Sequence, residues 1–115
     1  MLNNITSVAP ARICLYGDHQ DYLNLPIIAI AIDRYIKVEA IPNLAESFYI
    51  NKIDIKKKDI IDYNLDYNYK GKAEFLRISL NVLKRYGCIP NRGYDISISS
   101  NIPINSGLSS SSALT

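Results

Sequence analysis

Histidine is nearly absent and cysteine is scarce. The 115 residues hold one histidine, His19, and two cysteines, Cys14 and Cys88. The two thiols lie far apart and form no C-x-x-C pair, which argues against a structural zinc site. Unpaired thiols fit a reducing, cytoplasmic compartment. Long apolar runs are missing as well. The longest, residues 25–32, is closed by Asn24 and Asp33, whereas a bilayer-spanning helix takes roughly 20 apolar residues. The opening MLNNITS has no basic stretch leading into an apolar core, so no secretory signal is expected. An excess of either charge is lacking too. Thirteen Lys and Arg stand against eleven Asp and Glu, a net charge of +2, which gives no electrostatic case for nucleic acid or an anionic membrane as partner. No repeat of solenoid length is visible.

What is present describes a soluble globular chain. Apolar residues make up 48% and charged residues 21%. The length suits one domain at most, able to bury roughly two thirds of its unfolded surface. Residues 8–16 alternate as a strand does, with Pro10 tolerable near its start or on an edge. Residues 17–24 are polar and turn-like, and residues 27–32 read as a buried apolar segment. Residues 35–40 alternate with period two, residues 42–46 read as a loop, and residues 48–55 read as a strand forming a hairpin with the one before.

Residues 56–72 show no clear period and read as irregular, with Lys56, Lys57 and Lys58 as a solvated turn. Residues 73–86 form the clearest helix: Leu76, Leu80 and Leu83 fall at helical spacing, widened by Phe75, Val82 and Tyr86. Gly87 is placed to cap it and Pro90 to stop it. In residues 94–99, Tyr94, Ile96 and Ile98 take one face and Asp95, Ser97 and Ser99 the other. A loop over residues 101–107 follows. Ser109 opens a further helix as its N-cap, with Ala113 and Leu114 inside it. The sequence stops at Thr115, within the first turn, and one-turn helices are not stable alone. The expectation is an N-terminal piece, residues 1–115, of a longer protein.

Two segments carry chemistry. Gly17, Asp18, His19, Gln20, Asp21 and Tyr22 form a polar turn just after a strand holding Arg12. Carboxylates and an imidazole in one turn suit the gripping of hydroxyl groups, because ionised carboxylates accept hydrogen bonds from them. The second segment, NIPINSGLSSSSAL, follows a strand and opens a helix. A small-residue loop there can point several backbone N–H groups at one spot, and serine hydroxyls can bond phosphate oxygens or magnesium. It is not a Walker A loop, since no Lys follows the glycine in that pattern. Each feature alone has a plainer reading. His19 could be a surface histidine, Asp18 and Asp21 turn formers through their own backbone bonds, Arg12 an exposed cation, and the serine run a flexible linker.

Together the two segments resemble the GHMP kinases, the family that includes galactokinase, homoserine kinase, mevalonate kinase and phosphomevalonate kinase. APARICLYGDHQDY followed by LPIIAIAID is similar to the first family motif, and NIPINSGLSSSSAL to the second, a glycine-serine phosphate loop. The resemblance covers essentially the whole chain. It implies an α+β fold, the ribosomal protein S5 domain 2-like N-terminal domain, with a mixed sheet and helices on one face. It also implies ATP and magnesium (Mg2+) and transfer of the γ-phosphoryl to a hydroxyl of a small molecule. By position, Asn105, Ser106, Gly107, Leu108, Ser109, Ser110 and Ser111 would hold the ATP phosphates, with Ser111 as the magnesium serine, or Ser110 or Ser112 if the extra serine shifts the register. Arg12 would neutralise charge at the transferred phosphoryl and position the catalytic base. Asp18, His19, Asp21 and Tyr22 would contact the acceptor.

Phosphoryl transfer needs positioning and charge neutralisation more than covalent help, so this allocation is physically coherent. Asp18 stands where the galactokinases resembled have Glu, Gln20 where they have Thr, and Asn105 and Ser106 where they have small glycines. Asp21 and Tyr22 are sugar-kinase-like. The expected function is that of the N-terminal part of an ATP-dependent sugar kinase. Its alternatives are a mevalonate-type isoprenoid-precursor kinase, a non-catalytic sensor of ATP and sugar, and a structural module whose loop binds nothing. The family's catalytic aspartate and magnesium-binding glutamate belong beyond the phosphate loop, so residues 1–115 alone are expected to lack catalysis.

Overall fold

The computed structural model describes residues 3–62, 75–88 and 90–115. Alternating apolar residues build a mixed sheet of five strands in the order β1-β2-β5-β3-β4. Strands β1 (Ile5–Tyr16) and β2 (Ile28–Pro42) pair antiparallel. Their register shifts between Pro10 and Arg12, and again between Cys14 and Tyr16. Pro10 has no N–H to give to a ladder, and it sits on the edge strand where that loss is tolerated. On its other side β2 pairs antiparallel with β5 (Tyr94–Ser100). Strand β3 (Ser47–Lys52) then lies parallel to β5, and β4 (Lys57–Asp62) closes the far edge antiparallel to β3.

Residues paired across a ladder share a face of the sheet. The register therefore puts Ile36, Phe48, Ile50, Ile61 and Ile98 on one face, and all five are buried. Burying an isoleucine side chain is worth about 1.5–3 kcal/mol. Helices α1 (Phe75–Arg85) and α2 (Ser110–Leu114) cover this face, packing Leu76, Leu80, Ala113 and Leu114 against it. Arg77 of α1 reaches Asp59 of β4 with both carboxylate oxygens at 3.1 Å. Lys37, Glu39, Ser97 and Ser99 line the opposite face, where Lys37 and Glu39 form an ion pair at 2.9 Å. The sequence-read alternation in β5 holds, and the mixed sheet with helices on one face is the observed architecture.

The helix ends as its sequence dictates. Gly87 adopts φ +80°. Its N–H donates to the Lys84 carbonyl, while the Cys88 N–H donates to that of Leu83, both at 3.0 Å. This is the left-handed glycine closure that satisfies the last carbonyls of a helix.

Four expectations need correction. Residues 27–32 are not buried: Ile27, Ile28 and Ile30 are exposed. Ile28 and Ile30 belong to one 15-residue strand that runs on through Asp33 to Pro42, and its first half pairs only with β1, as a ribbon projecting from the sheet. Strand β3 ends at Lys52, not at residue 55, because a 3-10 turn over Ile53–Ile55 follows, closed by Lys56 at φ 51°. It also makes no hairpin with β2, since β5 lies between them. Finally, Lys57 and Lys58 stand in strand β4 and not in an irregular segment. The remainder of that segment, residues 63–72, lies outside the described residues, as do Ala73 and Glu74 of the expected helix.

The insertion of β5 explains a glycine. The connection over residues 43–46 must cross two strand spacings, roughly 10 Å, over the beginning of β5. Asn43 donates its N–H to the Gly93 carbonyl, and the Gly93 N–H donates to that of Ala45, both at 3.0 Å. A Cβ at Gly93 would stand 2.3 Å from the carbonyl oxygens of Ala45 and Ser47, so no other residue fits beneath this crossing.

Candidate functional site

Strand β5 leads straight into the serine loop, and its exit is fixed at three consecutive N–H groups. That of Ser100 donates to Oδ2 of Asp54 at 2.6 Å, that of Asn101 to the Tyr35 carbonyl at 3.2 Å, and that of Ile102 to Oγ of Ser100 at 3.0 Å. The Tyr35 N–H returns a bond to Oδ1 of Asn101 at 2.7 Å. Asn101 thus extends the β2–β5 ladder by one rung with its side chain. Ile102 is then buried in the core and anchors the loop from below.

Beyond this anchor the backbone turns left-handed at Asn105 (φ 55°), Gly107 (φ 71°) and Ser109 (φ 59°). Only glycine adopts that region freely; elsewhere it costs roughly 1–2 kcal/mol. Ser106 donates its hydroxyl to the Pro103 carbonyl at 2.7 Å. Among the described residues, the main-chain N–H groups of residues 105–110 donate to no protein acceptor. A run of undonated amides on a contorted backbone is suited to an anion. Ser109 occupies the N-cap position of α2, as expected. Its left-handed backbone departs from the usual cap, however, and its hydroxyl makes no capping bond.

The loop ends against β1. Arg12 donates its main-chain N–H to the Leu108 carbonyl at 3.2 Å. Arg12 is half-buried, and its neighbour Ala11 is 1% exposed beneath α2. Two parts of the sequence-predicted site, Arg12 and the serine loop, are therefore brought side by side. A cavity of about 290 Å³ opens next to the loop, between the sheet and the two helices. Phe75, Ile98 and Leu114 supply apolar wall, and Asp54, Ser110 and Ser111 supply polar edge.

The acidic turn stands apart, at the tip of the β1–β2 ribbon. Four strand steps lead from Arg12 to Tyr16, roughly 13 Å. Gly17 makes the turn at φ +84°, and a Cβ there would come within 2.9 Å of the Pro26 carbonyl oxygen. The Gln20 N–H closes onto the Gly17 carbonyl at 2.9 Å, and those of Leu23 and Leu25 onto that of Gln20. Asp21 begins a 3-10 turn, Asp21–Leu23. Asp18, His19 and Tyr22 are exposed. Sequence reasoning missed Asp54 and Asn101. Asn101 had a local signal, an amide side chain at the first residue of the loop, but Asp54 had none.

Residues 73–115 match the model of the GHMP kinases N terminal domain. The chain is 34% identical to a galactokinase of Thermosipho africanus over 92% of its own length and 29% of the relative's. It is 30% identical to a mevalonate kinase of Pyrococcus furiosus over 96% of its own length and 36% of the relative's. It thus spans about a third of the length of these curated relatives. As a fold it matches the galactokinase of Lactococcus lactis with a TM-score of 0.85 at 23% identity, over 97% of this chain and 30% of that one. In sequence and in fold, the chain is thus similar to the N-terminal part of the GHMP kinases.

Proposed function

We propose that the chain is the nucleotide-binding and acceptor-binding part of an ATP-dependent kinase that transfers the γ-phosphoryl group to a hydroxyl of a sugar. The observation that carries this reading is the loop over residues 105–111. Its undonated amides and its serine hydroxyls lie beside an apolar cavity of about 290 Å³, and the strand of Arg12 is hydrogen-bonded to its end. A triphosphate would lie on the loop amides of Asn105 to Ser109, with the apolar base in the cavity. The guanidinium of Arg12 keeps its charge at any working pH and would neutralise charge near the transferred group.

Magnesium, when bound, neutralises phosphate charge. Among the described residues no group of three or more His, Cys, Asp or Glu could hold a metal ion. The half-buried Ser111 edges the cavity, so its hydroxyl suits such an ion shared with phosphate oxygens. Asp18, His19, Asp21 and Tyr22 would hold the acceptor by hydrogen bonds from its hydroxyls to the carboxylates. Among the described residues no helix is long and apolar enough to cross a membrane.

The mevalonate kinases among the relatives favour a second acceptor, an isoprenoid-type acid alcohol. Phosphoryl-transfer assays with magnesium–ATP on a panel of monosaccharides and mevalonate, using the kinase that carries this chain, separate the two. Turnover of a sugar is the expected result. Turnover of mevalonate alone would replace the first reading by the second, and turnover of neither, with no saturable binding of magnesium–ATP, would overturn both.

A further inference from the structure

We infer that Asp54 is a positioning residue for the phosphate loop, an inference that rests on reading residues 105–111 as a nucleotide site. Strand β3 stops at Lys52, and its last rung with β5 is Lys52 against Ile98. Two residues further along β5, Ser100 therefore has no β3 carbonyl opposite its N–H. The 3-10 turn over Ile53–Ile55 supplies the substitute. It is held by the Lys56 N–H donating to the Ile53 carbonyl at 3.2 Å, and it brings Oδ2 of Asp54 to 2.6 Å from the Ser100 nitrogen. A short hydrogen bond onto a carboxylate is about twice as strong as one between neutral groups.

Its placement is what gives this bond a functional meaning. Ser100 is the last residue of β5, and its own hydroxyl accepts the N–H of Ile102, the buried foot of the loop. A shift at Ser100 therefore passes directly to Ile102 and to the loop it anchors. Asn101 pins the other side of the same strand end to Tyr35, so Asp54 and Asn101 clamp the exit of β5 from both sides. Asp54 also edges the cavity beside the loop, where a negative charge repels a triphosphate. A carboxylate that works against the ligand by charge while holding the loop by geometry predicts that its two properties separate on substitution.

The test compares the wild-type chain with Asp54→Asn, which keeps the acceptor oxygen and removes the charge, and Asp54→Ala, which removes both. Amide hydrogen exchange followed by NMR reads the clamp without any nucleotide. In Asp54→Ala, exchange at Ser100 and Ile102 should quicken at least about tenfold while α1 keeps its protection, and Asp54→Asn should stay near the wild type. Titration with magnesium–ATP should then show affinity at least about tenfold weaker in Asp54→Ala and equal or tighter in Asp54→Asn. Unchanged exchange in Asp54→Ala overturns the inference, as does wild-type affinity in that variant. If Asp54→Asn loses as much affinity as Asp54→Ala, the charge is required and the positioning role is wrong. A wild-type chain with a protected Ser100 that binds no magnesium–ATP would overturn the nucleotide reading, and the inference with it. By contrast, a wild type that binds while all three proteins bind alike overturns only the inference.

Discussion

The main-chain N–H of Arg12 donates to the carbonyl of Leu108 at 3.2 Å. One hydrogen bond thus joins strand β1, near the start of the chain, to the serine loop near its end. Arg12 stands where the β1–β2 register slips, so its position is set by the loop as well as by the ladder. Substitutions in the loop should therefore be felt at Arg12.

Gly107 is the first test of the loop. A Cβ there meets nothing within 4 Å, yet the residue holds φ +71°. Gly107→Val should leave the fold intact while forcing a β-branched residue out of the left-handed region, at a cost of roughly 1–2 kcal/mol. Binding of magnesium–ATP should fall by about tenfold or more, while the melt stays cooperative and moves down by only several degrees. Calorimetric titration beside a thermal melt measures both; wild-type affinity in this variant would rule the loop out as the phosphate site.

Ser109 gives a signal of opposite sign. At φ 59° with no capping bond, it bears a left-handed cost that glycine does not. Ser109→Gly should leave stability unchanged or raise it by up to about 1 kcal/mol, where the same change at an ordinary backbone position loses roughly 0.5–1 kcal/mol. Denaturant melts decide between these.

Gly93 should be the least replaceable glycine. With two carbonyl oxygens 2.3 Å from any Cβ, Gly93→Ala must push the 43–46 crossing off the sheet. A loss of about 3 kcal/mol is expected, at the upper end of ordinary overpacking. A melt within about 1 kcal/mol of the wild type would mean that the crossing yields easily.

Asp21 separates the two acceptors. Hydrogen bonds from hydroxyls to a carboxylate are worth about 1.5–3 kcal/mol, so Asp21→Ala should lower kcat/KM for a sugar by tenfold to a hundredfold or more and leave the KM for ATP in place. For mevalonate, which carries its own negative charge, the same change should be neutral or helpful. Unchanged kinetics on every accepted sugar would remove Asp21 from the site.

Much of this was legible in the chain itself. The alternation of Tyr94, Ile96 and Ile98, the leucine spacing of α1 and the glycine after it are local patterns, and local patterns fix local structure. Strand β4 was hidden because both of its faces carry charge: Asp59, on the helix-facing side, reads as a surface residue until Arg77 is seen beside it. The expected hairpin of β2 with β3 failed because periodicity says which residues share a face, not which strand lies alongside. The two family motifs gave Arg12 and the serine loop, whereas the roles of Asp54 and Asn101 depend on partners 46 and 66 positions away.

The central position of β5 makes assembly of the sheet and formation of the site a single event. Until this strand is present, β1–β2 and β3–β4 are two separate hairpin-like halves with no hydrogen bonds between them. Of these five strands, the one that zips the halves together comes last in chain order, and the segment drawn into place behind it is the serine loop. A half-folded chain therefore has neither the anchored loop nor the cavity beside it, and the long-range pairings on which the loop depends are the slow kind to form.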